Sequence, residues 1–400
     1  MPRLAQRLAE VPLAATLAMS ARARELAAQG VEIISLALGE PDFPTPMHAI
    51  EAAHQAALAG DTKYPPLGGS VALRSAIQRA FRRDHGLEYP LDQITVANGG
   101  KQIIFNAFLA TLDFGDEVVI PAPYWATYPL AAKLLGGTPV FVDCPEENGF
   151  KLSAADLARA ITPHTKWVML NFPNNPSGAA CSARELAAIA EVLRAHPDVW
   201  VMSDDIYEHL IFDGERHATI AQVAPDLIGR VLTVSGVSKS YAMTGWRVGF
   251  AGGPAALIKA MVNMQGNATS GVAGPCQAAA TAALDGPQEL LAERAAIYRA
   301  RRDLVVELLN QIAGIRCHRP EGAFYVFPSV AGLIGKSTPA GRQLAGDEDV
   351  TYALLDEAHV AVVQGSAFGM SPYIRISTAT SEAKLIAACG RIAEFCGKLK

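Results

Sequence analysis

The chain has 400 residues, of which 50% are hydrophobic and 18% charged, with a formal net charge of −5. That length exceeds a single small core and implies two domains, and the apolar fraction excludes a disordered chain. No basic block is present, so nucleic acid is not expected as a partner, and no uncharged apolar run of about 18 residues exists to cross a membrane.

At the N-terminus, Arg3 and Arg7 precede an alanine-rich stretch, Val11 to Met19, that loosely imitates a signal peptide. Glu10 and Pro12 interrupt it, and it runs into a charged helix expected over Ser20–Gln29, so no secretory leader is expected. Six cysteines (Cys144, Cys181, Cys276, Cys317, Cys389, Cys396) are scattered without a C-x-x-C pair. This argues against a zinc ribbon or a disulfide framework and suits a cytoplasmic protein with reduced thiols. The nine histidines show no metal-ligand spacing, and no metal is expected.

Short β-rich runs then alternate with alanine-rich helical runs. Strands are expected at Ile94–Ala97, Glu117–Ile120, Pro139–Val142, Trp167–Leu170, Val199–Met202 and Val231–Val234. Helices are expected at Lys101–Leu112, Trp125–Leu135, Ala154–Ile161 and Ala183–Ala195. Continuous apolar strands alternating with helices imply an α/β fold with a mostly parallel central sheet covered on both faces. After Gly286 the pattern changes. A long helix, Gln288–Gln311, leads to short strands at Ile315–Cys317, Phe324–Phe327, Val360–Val363 and Tyr373–Ile376. Helices at Asp349–His359 and Ser381–Leu399 flank the last of these, with an exposed loop over Ala331–Gly346. This describes a smaller α+β domain. The expected division is 46–290 for the large domain and 1–45 with 291–400 for the small one.

Four polar segments fall after expected strands, where ligands sit in parallel sheets: Asn98-Gly-Gly-Lys101, Asn171 to Gly178, Asp204-Asp-Ile-Tyr207 and Ser235 to Lys239. The last continues as Ser-Gly-Val-Ser-Lys-Ser-Tyr-Ala-Met-Thr-Gly-Trp-Arg-Val-Gly249. It sets Lys239 among small and hydroxyl residues, with Arg247 eight positions on. Small neighbours let a planar group approach the amine, while hydroxyls and an arginine suit a phosphate; a pyridoxal phosphate site needs both. Asp204 ends a buried strand, where a carboxylate needs a partner. Gly99, Gly100 and Lys101 open a helix, whose free amides and dipole favour an anion. Arg375, alone among apolar residues in Tyr-Ile-Arg-Ile-Ser, needs an anion too. Gly335-Lys-Ser-Thr338 lacks the spacing and strand-to-helix setting of a phosphate loop, and Asn267-Ala-Thr269 is a glycosylation sequon only on paper.

From about Val11 to Leu399 these segments, in this order, resemble the class I, fold-type I pyridoxal-phosphate aminotransferases, particularly the bacterial aspartate/prephenate group. The resemblance implies that Lys239 carries the cofactor and moves the substrate proton, and that Asp204 partners the pyridinium nitrogen. Asn175 and Tyr207 would bond the phenolic oxygen, and Trp125 would stack on the ring. Gly99, Gly100, Lys101, Ser238 and Arg247 would hold the phosphate, with Tyr64 reaching it in the neighbouring subunit of a homodimer. Arg375 would bind the substrate α-carboxylate with Gly39 and Asn175, beside an apolar wall at Phe324. Lys101, with Thr16, would take a second carboxylate. These roles together imply ping-pong transamination between aspartate or glutamate and a 2-oxo acid. Two departures stand out: Asp205 where the family usually has glutamate, and the loop Gly266–Gly274, which lacks the usual Ser-Asn-Pro-like turn and leaves side-chain specificity open. Rival readings are broader specificity (prephenate, aromatic, alanine), a C–S lyase or aminocyclopropane-forming synthase on the same fold, and a non-catalytic regulator with an aminotransferase-like domain.

Overall fold

A computed structural model describes residues 4, 5, 11 and 14–400. Arg3, Arg7, Glu10 and Pro12, which bear on the signal-peptide question, lie outside the described residues. No described helix is long and apolar enough to cross a membrane.

Twelve short strands form among the described residues: β1 (Ile34–Ser35), β2 (Ile94–Ala97), β3 (Glu117–Ala122), β4 (Thr138–Asp143), β5 (Thr165–Asn171), β6 (Trp200–Asp204), β7 (Val231–Gly236), β8 (Gly249–Gly252), β9 (Tyr325–Val326), β10 (Val360–Ala361), β11 (Val363–Gln364) and β12 (Ile374–Ser377). Seven build one sheet in the order β2-β8-β7-β6-β5-β3-β4. All its neighbours are parallel except β8, which runs antiparallel to β2 and β7.

Both sheet faces are buried, as continuous apolar strands require. In β5, Val168 and Leu170 face a core that includes Leu73, Ile77, Ile189 and Leu193 from the helices Val71–His85 and Ala183–Arg194. Trp167 and Met169 alternate to the opposite face, with Ile103, Ile104, Tyr128 and Met261. Helix Ala183–Arg194 starts where it does because Ser182 caps the Glu185 amide while Glu185 returns a bond to Ser182, closing a capping box.

A second core contains Ile34, Leu36, Val305, Leu309, Val350, Leu354, Ile374, Ile376, Leu385 and Ile392. It is covered by the helices Glu289–Asn310, Asp347–Ala358 and Glu382–Gly397 and holds the small sheet β11-β12-β9 and the pair β1-β10.

Several expectations need correction. No strand forms at Ile315–Cys317, where a single bridge joins Arg316 to Ser329. The Asn310 side chain bonds both the amide and the carbonyl of Cys317 at 2.8 and 3.0 Å, taking the groups a ladder would use. The run Val360–Val363 splits into β10 and β11, which pair in different sheets. The first helix spans Ala15–Ala28 rather than starting at Ser20. Helix Thr127–Leu134 starts after Trp125, leaving that ring on the preceding turn. In the 331–346 loop, Leu333, Thr338 and Leu344 are buried and anchor an otherwise exposed or partly exposed segment.

Of the two strands that sequence reading missed, β1 and β8, the latter shapes the site edge. Its first residue, Gly249, is in register with both Ala97 at the end of β2 and Gly236 at the end of β7. An antiparallel strand enters where its parallel neighbours leave, so Arg247 joins the same edge as the β2 and β7 loops. The fit is tight: a Cβ on Gly249 would lie 2.3 Å from the Gly100 amide nitrogen. Gly249→Ala is therefore expected to destabilise by about 1–3 kcal/mol through overpacking against rigid backbone. Gly229→Ala, which meets nothing within 4 Å, should be near neutral. Thermal unfolding of the two variants checks this.

Candidate active site

The carboxyl ends of β2, β5, β6 and β7 and the start of β8 bring their loops together at one sheet edge. Lys239, three residues beyond β7, is half-buried and donates from Nζ to the Gly39 carbonyl at 2.6 Å. Its ammonium lies 5.8 Å from the ring centres of both Tyr207 and Phe324. Burial, then the positive charges of Arg375 and Arg247, lowers its pKa to about 8.

Asp204, the last residue of β6, is buried. Its Oδ2 accepts a 2.6 Å bond from the Tyr128 hydroxyl, and its carbonyl accepts from Asn171 Nδ2 at 2.8 Å. Burial, aided by the charge of Asp205, lifts its carboxyl to about 6 against the pull of the Tyr128 bond. Asp205 does not cap a turn. It is buried, accepts from Ser203 Oγ at 2.8 Å, and approaches His217 at 3.6 Å.

Asn171 Oδ1 also receives the Asn175 amide at 3.0 Å, folding the Asn171–Gly178 turn back over the sheet edge. Asn175 Oδ1 in turn accepts from Arg375 Nη1 at 2.9 Å. Tyr207 is buried, with its hydroxyl 2.8 Å from that of Tyr325.

On the other side of Lys239, helix Gly100–Thr111 points its first turn at the site. The Gly99 amide is already bonded to the Ala97 carbonyl at 2.7 Å, so Gly99 is not an anion donor as expected. Its part is steric. With φ of 86°, it turns the chain where a Cβ would lie 2.3 Å from Arg247 Nη2. The Gly100 and Lys101 amides, at the first two helical positions, have no helical acceptor and remain for an anion. Arg247 is held by the carbonyls of Thr244 and Asn98 at 2.9 and 3.4 Å. Ser238 is buried nearby in sequence, its hydroxyl without a protein partner among the described residues. Lys101 Nζ lies 5.1 Å from the Trp125 ring centre, and burial and the Arg247 charge lower its pKa.

Arg375 comes from β12 of the small sheet and is 3% exposed. Besides Asn175 it bonds the Ala37 carbonyl at 2.6 Å, and it is sandwiched by the rings of Tyr325 and Phe368 at 4.7 and 4.8 Å. Its Nε has no partner. Among the described residues, no carboxylate pairs with Arg375, Arg247, Lys239 or Lys101. Gly39 cannot carry a side chain, since a Cβ would meet the Tyr325 hydroxyl at close range. Thr16 lies in the first turn of the N-terminal helix and makes no side-chain hydrogen bond to these residues. Tyr64 stands away from its own chain's site contacts, 92% exposed. Beside it, the loop 266–274 packs on Pro65 through Gly271 and on helix Gly100–Thr111 through Gln102 Nε2, which donates to Thr269 Oγ1 at 2.7 Å.

Sequence reading missed Tyr128, Tyr325, Asn171 and Phe368. Tyr128 follows Trp125 by three residues, a spacing that puts both on one side of a turn, and Tyr325 adjoins Phe324. It also missed a buried cluster in which His85, Glu208 and His217 present ligand atoms within 4.8 Å of one another. Glu208 Oε2 and His85 Nε2 are 2.5 Å apart, a direct hydrogen bond. Two ligands of one tetrahedral zinc would stand about 3.3 Å apart, so the cluster is a hydrogen-bonded pair rather than a metal centre.

Residues 31–392 match the family described as aminotransferase class I and II. The chain is 53% identical, over 99% of both chains, to a probable aspartate/prephenate aminotransferase of Rhizobium leguminosarum bv. phaseoli. It is 52% identical to an aspartate aminotransferase of Rhizobium meliloti, over 99% of this chain and 96% of that one. A crystal structure of the aspartate aminotransferase from Rhizobium meliloti superposes with a TM-score of 0.97 at 51% identity, covering 100% of both chains. That of Thermus thermophilus with maleate superposes at 0.91 and 40% identity, covering 99% of this chain and 100% of that one. The chain belongs to the class I and II aminotransferases, of fold-type I, and is a pyridoxal-phosphate-dependent enzyme of transamination.

The residues present fit that cofactor. A buried carboxylate raised to about 6 lacks a cation, which a protonated ring nitrogen supplies. The free amides at Gly100 and Lys101 and the unpaired Arg247 suit a phosphate dianion. In the cofactor-free protein, labelling of Lys239 by an amine reagent should rise with a midpoint near pH 8, since the protonated amine below that pH is inert. Arg375→Met removes a positive neighbour and should move that midpoint upward, as read by peptide mass spectrometry across a pH series.

Proposed function

We infer that this enzyme exchanges the amino group of aspartate or glutamate with a dicarboxylic 2-oxo acid, 2-oxoglutarate or oxaloacetate. The observation that carries the reading is a pair of cations without protein carboxylates, Arg375 from β12 and Lys101 from the first turn of helix Gly100–Thr111. One suits the α-carboxylate and the other a side-chain carboxylate, with Thr16 as its hydrogen-bonding partner. The relatives named for aspartate and prephenate, and the Thermus structure named with maleate, concern multiply charged acids of the same kind. Prephenate, also a dicarboxylate, falls within the class.

In this reading Arg375 binds the α-carboxylate in a fork, its orientation preset by Asn175 and the Ala37 carbonyl, next to Gly39. Tyr207 and Asn175 would donate to the cofactor's phenolic oxygen, and Asp204, held by Tyr128, would keep the ring nitrogen protonated. Gly100, Lys101, Ser238 and Arg247 would hold the phosphate, with Gly99 shaping the turn and Trp125 offering an aromatic face to the ring. Bound pyridoxal phosphate supplies an electron sink for negative charge developing at the substrate Cα. Lys239, with its pKa lowered to about 8, would move the proton from the amino acid Cα to the cofactor's C4′ carbon and, in the second half of the exchange, back to the Cα of the incoming 2-oxo acid. Phe324 and Tyr325, both about 1% exposed, keep water from that path.

The same proposal divides the chain into a large domain, 46–290, and a small domain, 1–45 with 291–400, so that Arg375 and Lys239 come from different bodies that close on the substrate. It makes the active unit a homodimer. Tyr64 is almost fully exposed, free to reach a neighbouring subunit. Six free cysteines accord with a cytoplasmic home.

Rapid mixing of the loaded enzyme with single amino acids, no oxo acid present, tests the substrate class. Aspartate and glutamate should convert the cofactor absorbance within one turnover, and oxaloacetate or 2-oxoglutarate should reverse it. Conversion by alanine or phenylalanine alone would overturn the dicarboxylic assignment; pyruvate and ammonia from cystathionine, without transfer, would favour a C–S lyase. Lys101→Ala should raise KM for aspartate by about tenfold while leaving alanine nearly unchanged, the loss of one charge-assisted contact. Steady-state kinetics on the two substrates reads the difference.

A further inference from the structure

Tyr207 is followed by Glu208 and His209, which point away from the substrate loops and are not used by the reaction as derived above. Their carboxylate and imidazole grip residues on either side of Lys239: Ser235, near the end of β7, and Ser240. Glu208 Oε1 accepts from Ser235 Oγ at 2.5 Å, and His209 Nδ1 lies 3.0 Å from Ser240 Oγ. Ser235 and Ser240 are 1% and 2% exposed, so neither bond competes with bulk water.

Each anchor is itself held by helix Val71–His85. His85 Nε2 bonds Glu208 Oε2 at 2.5 Å, and Asp84 Oδ2 lies 3.3 Å from His209 Nε2. Arg83 pairs with Asp84 at 2.7 Å, and Arg294 bonds the Ser240 carbonyl at 3.0 Å. Against the upward push of burial, the charges of His209 and His85 hold Glu208 at about 2. Burial pulls His85 down, but its bond to Glu208 raises it to about 8. The pair is therefore ionised around neutral pH, and a charged acceptor makes the stronger bond to Ser235.

We propose that Glu208 and His209 are positioning residues for Lys239. Glu208 bonds Ser235 at the end of β7 and His209 bonds Ser240 just past Lys239, while His85 and Asp84 hold both anchors from helix Val71–His85. One segment, Asp204 to His209, thus faces the cofactor with Asp204 and Tyr207 and holds the lysine's loop with the next two residues. The inference rests on Lys239 being the residue that carries the cofactor.

The test is the rate at which cofactor-free protein attaches pyridoxal phosphate, followed by absorbance and by borohydride trapping with peptide mass analysis. Ser235→Ala and Ser240→Ala each remove one oxygen and leave the ion pairs intact. Each should slow attachment on the order of tenfold, as for loss of a hydrogen bond to a charged or charge-supported group. In the loaded enzyme each should lower kcat and leave KM for aspartate within about twofold. Glu208→Gln should slow attachment too, yet add nothing further to Ser235→Ala, because both act through one bond. Its cost in thermal midpoint, from the lost His85 pair, should instead persist undiminished in the double variant. Attachment at the wild-type rate in both serine variants, or independent effects of Glu208→Gln and Ser235→Ala, would overturn the proposal and leave Glu208 a stability element. Trapped cofactor on a peptide other than the one holding Lys239 would instead overturn the assignment of Lys239 itself.

Discussion

The structure is organised around a buried guanidinium with no counter-ion. Arg375 is almost wholly withdrawn from water, makes two neutral hydrogen bonds, leaves Nε unbonded, and rests between two aromatic faces. Removing a cation from water without an anion costs several kcal/mol even after relaxation. The ring faces of Tyr325 and Phe368 return part of that through cation–π attraction, on the order of 1–2 kcal/mol each in a dry setting. The remainder is a standing preference for a carboxylate, available to any substrate that brings one.

That unmet charge also acts on Lys239. Burial lowers the lysine first, and a positive neighbour in a low-dielectric site makes a second cation unfavourable, so the lysine falls to about 8. Asp204 shows the opposite case, a carboxylate that burial, aided by the charge of Asp205, lifts to about 6. Each group is poorly matched to the protein alone and well matched to a ligand of opposite charge. Filling the site lets Arg375, Asp204 and Arg247 each find a partner, so ligand binding adds stability that the chain does not possess by itself.

Much of this was legible in the sequence because it lies in runs. The parallel strands carry apolar runs such as Val118–Ile120 and Trp167–Leu170, and polar clusters such as Asn98–Lys101 and Ser235–Lys239 stand at strand ends. What stayed hidden was hidden for physical reasons. Strand β8 reads Gly-Phe-Ala-Gly, two glycines that weaken any strand signal but are needed where the backbone meets Gly100. The false strand at Ile315–Cys317 has the right composition, and only the fold reveals that Asn310 has taken its hydrogen-bonding groups. Tyr128 and Asp204 are 76 positions apart, and His85 and Glu208 are 123. No spacing rule reaches such pairs, because they exist only once the sheet sets its register. Gly99 was read as an amide donor when its amide was already taken, a distinction that turns on one bond to Ala97.

The register of β5, β6 and β7 explains why so short a segment serves two purposes. Asn171 pairs with Asp204 and Asp204 with Val234, so the three loops leave the sheet nearly level. The chain after β6 therefore runs between the turn that holds Asn175 and the loop that carries Lys239. Residues on one side of it face the site, and those on the other face helix Val71–His85, where Glu208 and His209 find charged partners. A change in that helix has a route to the lysine through side chains alone: His85 to Glu208 to Ser235, and Asp84 to His209 to Ser240. The reach of Lys239 is set by hydrogen bonds on the far side of the sheet edge, outside any substrate contact.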